Sequence, residues 1–80
     1  MPSGGVIPLP PSPDRWGNTI ELGYLLDRNG LHEQATALYR EAAQALEGTG
    51  YRWLQGHALL GLAESRTAVG DWRGAATYLR

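Results

Sequence analysis

Two stretches decide the fold: Leu22–Arg40, LGYLLDRNGLHEQATALYR, and Leu62–Arg80, LAESRTAVGDWRGAATYLR. Laid over one another at an offset of forty residues, they share Leu22/Leu62, Gly30/Gly70, Ala35/Ala75 and Arg40/Arg80, and Gly23 falls on Ala63. These matches land where an antiparallel pair of helices needs special residues. A small residue at 23 or 63, and another at 35 or 75, lets two helices approach closely, and glycine at 30 or 70 turns the chain between them. Copies of roughly twenty to fifty residues, each one helix pair, are the mark of a solenoid whose units bury their faces only against neighbours.

Helical signals cover the chain outward from this repeat. Ala35, Leu38, Tyr39, Ala42 and Leu46 fall at i, i+3, i+4, i+7 and i+11, one face of a helix that Glu33 opens and Gly48-Thr49-Gly50 ends. Before it, Trp16, Ile20, Leu22, Leu25 and Leu26 form a stripe closed by Asn29-Gly30. That first helix starts between 13 and 19, from either Ser12-Pro13 as N-cap and first-turn proline or Asn18 with Glu21 as a capping box. A third helix is expected from about Tyr51 to Val69, with Leu54, Ala58, Leu62, Ser65 and Val69 on one stripe and Leu59, Leu60 and Ala63 widening it into a face with contacts on two sides. Asp71 caps a fourth, carrying Trp72, Ala75, Ala76 and Leu79. No stretch alternates with period two, so the fold class is all-α, with antiparallel helix pairs stacked as a short solenoid of about four helices.

The run Leu22-Gly23, Gly30, Ala35, Tyr39, Ala42 resembles the tetratricopeptide repeat, in which a Leu-Gly pair, a turn Gly, a small Ala, an aromatic and a second Ala recur in that order. The resemblance covers residues 16–80. Its second copy, Leu62-Ala63, Gly70-Asp71-Trp72, Ala75 and Leu79, is looser and stops midway through its second helix. The forty-residue period is similar to the longer repeats found in bacterial signalling ATPases and antibiotic-pathway regulators. Two positions depart from the pattern: residue 31 is Leu where the family usually has Asp or Asn, and residue 47 is Glu where Pro is common. The domain expected is 14–80, with repeat one at about 16–50 and an incomplete repeat two at about 51–80. It follows a Pro- and Gly-rich leader, residues 1–13, MPSGGVIPLPPSP, whose composition suits a flexible tail.

Composition narrows the function classes. The chain has 80 residues and no cysteine, which excludes a disulfide scaffold and a thiolate metal site. Its longest uncharged run is the first thirteen residues, which hold all five prolines, so neither a membrane span nor a secretory signal is expected, and the cytoplasm is the default location. The seven arginines are scattered among eight acidic residues for a net charge of −1, which leaves no basic footprint for nucleic acid.

Catalytic arrangements fail on spacing. Among Ser3, Ser12, Ser65, His32 and His57, a serine-histidine pair could use only Ser65 with His57, and eight residues on one helix separate them by roughly 12 Å. His57 and Glu64 share a face but stand two turns apart, and no His-x-x-Glu or Glu-x-x-His spacing exists to hold a metal. A phosphate loop of the Gly-Lys type needs lysine, which is absent. No catalytic, cofactor or metal site is expected. Pro10-Pro11-Ser12-Pro13-Asp14-Arg15 has the form of a polyproline ligand, with a disordered leader as its plainer reading. Trp16, Tyr39, Trp53, Trp72 and Tyr78 are read as packing residues in preference to a stacking platform for bases.

The resemblance implies a protein interaction module. In such arrays the first helix of each pair lines the concave surface, which places the ligand-facing positions at Ile20, Tyr24, Asp27 and Arg28 in the first copy and His57, Leu60, Glu64 and Thr67 in the second. They lack the Lys and Asn set of a carboxylate clamp, so the expected ligand is a peptide or protein segment with an apolar stripe. Trp72, Ala75 and Leu79 form an expected exposed face on the last helix, for a second copy or a missing repeat. The alternative is a fragment or stand-alone relative of a bacterial regulatory protein, a transcriptional regulator or signalling ATPase, whose repeats sense a partner.

Overall fold

The computed structural model describes residues 13–79, and they form four helices: α1 (Pro13–Arg28), α2 (His32–Leu46), α3 (Arg52–Ala68) and α4 (Trp72–Tyr78). Residues 1–12 and Arg80 lie outside the described residues, and with them the leader, the Ser12 cap, Ser3, most of the proline motif and the Arg40/Arg80 match. No strand occurs among the described residues. Each helix packs on the next in sequence, and α1 also meets α3, so α2 backs a layer made by α1 and α3. The fold is all-α, as the periodicities require.

Helix one begins at Pro13, whose φ is already helical, so Asn18 and Glu21 lie within α1 and do not form a capping box. The two tight turns are copies of each other. Gly30 and Gly70 have φ of +79° and +81°, a left-handed conformation that costs glycine nothing. Around them the Leu31 amide donates to the Leu26 carbonyl at 2.9 Å and the Asp71 amide to Arg66 at 2.8 Å, while the Gly30 and Gly70 amides donate to Asp27 and Thr67 at 3.0 Å each. Both pairs of bonds stand forty residues apart, so the repeat in sequence is a repeat in backbone geometry.

The helix starts that follow are not equivalent. Asp71 accepts a hydrogen bond from the Gly74 amide at 3.0 Å, whereas Leu31, with nearly the same backbone angles, leaves the first amides of α2 without a side-chain acceptor. Asp71→Ala is expected to cost about 1 kcal/mol and Leu31→Asp to add about as much. Urea midpoints moving in opposite directions would bear this out. A Leu31→Asp variant no more stable than the parent would count against it.

The core gathers Trp16 of α1, Ala35, Tyr39, Ala42 and Leu46 of α2, and Ala58 and Leu62 of α3. Three expectations are corrected. Leu22 and Leu25 are half exposed, because α1 turns Gly23 toward Tyr39 and so buries the line through Trp16, Ile20, Gly23 and Leu26, rotating its other leucines outward. Val69 lies just beyond the end of α3 and is exposed. Ala75 was expected on the open face of the last helix, yet it is only 4% exposed, since α4 lies against α3 on that side; Trp72 and Leu79 do face outward.

Polar contacts tie the second copy to the first. The Arg66 guanidinium, mostly buried, donates to Glu33 Oε1 at 2.7 Å and to Thr36 Oγ1 at 2.9 Å, joining α3 to α2, and lies 3.8 Å from Asp71. Arg40 on α2 donates to the Tyr78 hydroxyl on α4 at 3.3 Å.

Candidate functional site

Helices α1 and α3 run side by side in the same direction. A Cβ on Gly17 would stand 4.0 Å from Leu54 Cδ2, and Cβ atoms on Gly23 and Gly61 would both press on the Tyr39 ring, so numbers rise together on the two helices. Between them opens a cleft of about 1190 Å³. Its α1 wall carries Asp14, Ile20, Glu21 and Tyr24, and its α3 wall carries Trp53, His57, Leu60 and Glu64. Tyr51 stands at one end.

Tyr39 of α2 makes part of the floor. Its ring is held between Gly23 and Gly61, where added Cβ atoms would come within 2.9 and 2.6 Å of ring carbons, so two glycines are required to admit one tyrosine. Although the residue is only 3% exposed, it reaches the cleft, and its hydroxyl has no hydrogen-bond partner among the described residues. Burial pushes its pKa up to about 12, with the charges of Asp27 and Glu64 and the ionised form of Tyr24 adding to the rise. The hydroxyl therefore keeps its proton near neutral pH and can donate it to an acceptor in the cleft.

The positions expected from the resemblance divide. Ile20, Tyr24, His57, Leu60 and Glu64 line this cleft. Asp27 turns instead to His32 Nδ1, pairing the end of α1 with the start of α2. Arg28 folds over Tyr24, its guanidinium 5.5 Å from the ring centre and 3.2 Å from the hydroxyl. Thr67 lies in a separate shallow depression with Leu60, Ala63, Glu64, Ala68 and Leu79. Both exceptions on α1 follow from its last turn, where short-range partners capture charged side chains before they can face the cleft.

Sequence reasoning passed over Trp53, Tyr51 and Glu21. Trp53 was recoverable, since 53, 57, 60 and 64 share one face of a helix at i, i+4, i+7 and i+11. It is exposed and meets His57 edge-on, with ring centres 4.5 Å apart. The aromatic residues grouped as packing thus split: Trp16 and Tyr39 are core, Tyr78 is half-buried, and Trp53 and Trp72 are exposed.

The serine and histidine considered for catalysis do not share an environment, for Ser65 is fully buried while His57 is exposed at the cleft. Among the described residues no group of three or more His, Asp or Glu side chains could hold a metal ion, and no helix is long and apolar enough to cross a membrane. No family model matches the chain, and neither a curated protein nor a solved structure matches it.

Proposed function

We propose that this chain is a non-catalytic protein interaction module of tetratricopeptide type, which takes an extended segment of a partner protein in the cleft between α1 and α3. The observation that carries this reading is an open cleft along two parallel helices, with apolar and aromatic side chains interspersed with charged ones on its walls and a tyrosine hydroxyl unpaired among the described residues at its floor. An extended peptide has both things such a site uses: side chains that alternate toward the two walls, and backbone carbonyls that accept from a buried donor. Tyr24, 52% exposed on the cleft wall, is the natural anchor because a rigid aromatic ring contributes contact area at small entropic cost.

The test is selection from a displayed random-peptide library against the full chain, followed by affinity measurements on the enriched peptides. Tyr24→Ala is expected to weaken them about tenfold, the ~1.4 kcal/mol of a modest anchor, with the helical circular dichroism unchanged. A library yielding no binder, or binders indifferent to Tyr24→Ala, would remove the basis for this site.

A second reading is favoured by the outer faces of the helices. Leu22 and Leu25 on α1, and Trp72 and Leu79 at α4, are exposed apolar residues of the kind that neighbouring repeats cover, which suits self-association or packing against a further repeat. In that setting the module is the sensing part of a cytoplasmic bacterial regulator, and cleft and outer faces serve different contacts.

A further inference from the structure

The cleft concentrates negative charge that is nearly balanced over the chain as a whole. Seven arginines and eight acidic residues nearly cancel over the sequence, but the cleft is lined by Asp14, Glu21 and Glu64 against a single arginine, Arg52. Of the other described arginines, Arg15 lies over Trp16, Arg40 reaches Tyr78 and Arg66 is bound to Glu33 and Thr36, while Arg28, outside the lining, lies over Tyr24 at the cleft edge and donates to its hydroxyl. Glu21 and Glu64 have no ion-pair partner among the described residues.

A second, independent observation lies beneath them. The Tyr39 hydroxyl, on a residue only 3% exposed, reaches the same end of the cleft without a hydrogen bond among the described residues. Gly23 and Gly61 flank the same ring, which brings Tyr24 and Glu64, one and three residues further along their helices, to this level of the cleft. A carboxylate without a partner, a protonated donor and an aromatic face are thus gathered at one place.

Resting on the proposed peptide-binding reading, we infer that the segment bound in the cleft is basic, with an arginine side chain seated against Glu64 and Glu21 over the Tyr24 ring. The guanidinium is the group that fits. It pairs bidentately with a carboxylate and stacks on an aromatic face, whereas lysine offers a point charge alone. Arg28 already stacks on Tyr24 from within the chain, an intramolecular example of the same contact. The Tyr39 hydroxyl then donates to a backbone carbonyl beside that arginine. Apolar neighbours in the ligand meet Ile20 and Leu60.

The experiment uses fluorescein-labelled nonapeptides taken from the library selection, each made in two forms that differ only in carrying arginine or the neutral isostere citrulline. Fluorescence polarisation with the full chain is expected to give at least tenfold tighter binding for arginine, a preference that shrinks as salt rises from 50 to about 500 mM because screening weakens exposed pairs. Glu64→Gln should remove most of the preference, Glu21→Gln part of it, and Glu41→Gln, on α2 outside the cleft lining, none. Equal affinity for both peptide forms, or a preference that survives in the Glu21→Gln/Glu64→Gln double variant, overturns the charge assignment while leaving peptide binding intact. Failure to select any peptide overturns the peptide-binding reading itself. If residues 1–12 of the chain or a second copy are the occupant of the cleft instead, neither peptide form will bind until those residues are removed or the protein is diluted, and that result also overturns the inference.

Discussion

Leu62→Ala and Leu22→Ala, the same change at equivalent positions of the two copies, are expected to differ sharply in their effect. Leu62 is 1% exposed, packed into the core of α1, α2 and α3, and its truncation removes buried methyl groups and leaves a cavity that costs about 2–5 kcal/mol. Leu22 is 50% exposed, so its truncation is expected to move stability by no more than about 0.5 kcal/mol. The cause of the difference is position in the stack. In α3 the face bearing Leu62 meets α2 of the preceding copy, while in α1 the matching face meets no described helix. For a domain of this size 1 kcal/mol shifts the melting temperature by roughly 4–8 °C, so Leu62→Ala should fall by ten degrees or more, or fail to fold, while Leu22→Ala melts like the parent. Thermal melts followed by circular dichroism separate the outcomes. Comparable damage from both changes would mean that the Leu22 face is covered in solution, which would favour the self-association reading.

The second large effect is steric and has a sign reversal built into it. Gly61→Ala places a methyl group 2.6 Å from carbons of the Tyr39 ring, and the ring has little room to retreat because Gly23 packs so close that a Cβ there would stand 2.9 Å from it. Overpacking of this kind costs about 1–3 kcal/mol, and the tightness of the contact puts it near the top of that range; alanine's better helix propensity returns about 1, for a net loss of roughly 2 kcal/mol. In a Tyr39→Leu background the ring is gone. There the same Gly61→Ala change should become neutral or stabilising by up to about 1 kcal/mol. The second copy already uses the smaller combination, since Ala63 and Leu79 stand where Gly23 and Tyr39 stand in the first and border one shallow depression. A double-mutant cycle from urea denaturation measures the coupling directly, and additive effects would rule out the squeeze on Tyr39. Gly23→Leu, which adds four carbons to the other side of the ring, is expected to unfold the α1–α2 pair.

How much of this was legible beforehand depends on the range of the interaction. The four helices and their turns follow from contacts within a few residues: Pro13 starts α1, Gly30 and Gly70 close two helices with the same pair of bonds, and Asp71 caps α4. Forty-residue spacing of small and turn residues was enough to imply stacked pairs. The rotation of α1 was not legible, because Trp16, Ile20, Leu22, Leu25 and Leu26 supply more apolar positions than one face can bury, and periodicity alone could not choose among them. Gly23 settles the choice by its fit to Tyr39, a contact between helices. Of the positions that the resemblance placed on a concave surface, Ile20, Tyr24, His57, Leu60 and Glu64 lie along one cleft, while Asp27 and Arg28 are drawn to His32 and Tyr24 and Thr67 lies in another depression.

By itself the sequence determined an all-α chain, the placing of its turns and the pairing of its helices, since each rests on local backbone preferences and a period visible in one dimension. Tertiary structure alone decided which of two equivalent leucines is core, that two glycines flank and admit one tyrosine, and that Glu21 and Glu64, far apart along the chain, line one cleft with it. Those outcomes depend on which surfaces touch, and residues far apart in sequence acquire burial, strain and electrostatic potential only from neighbours that folding brings beside them.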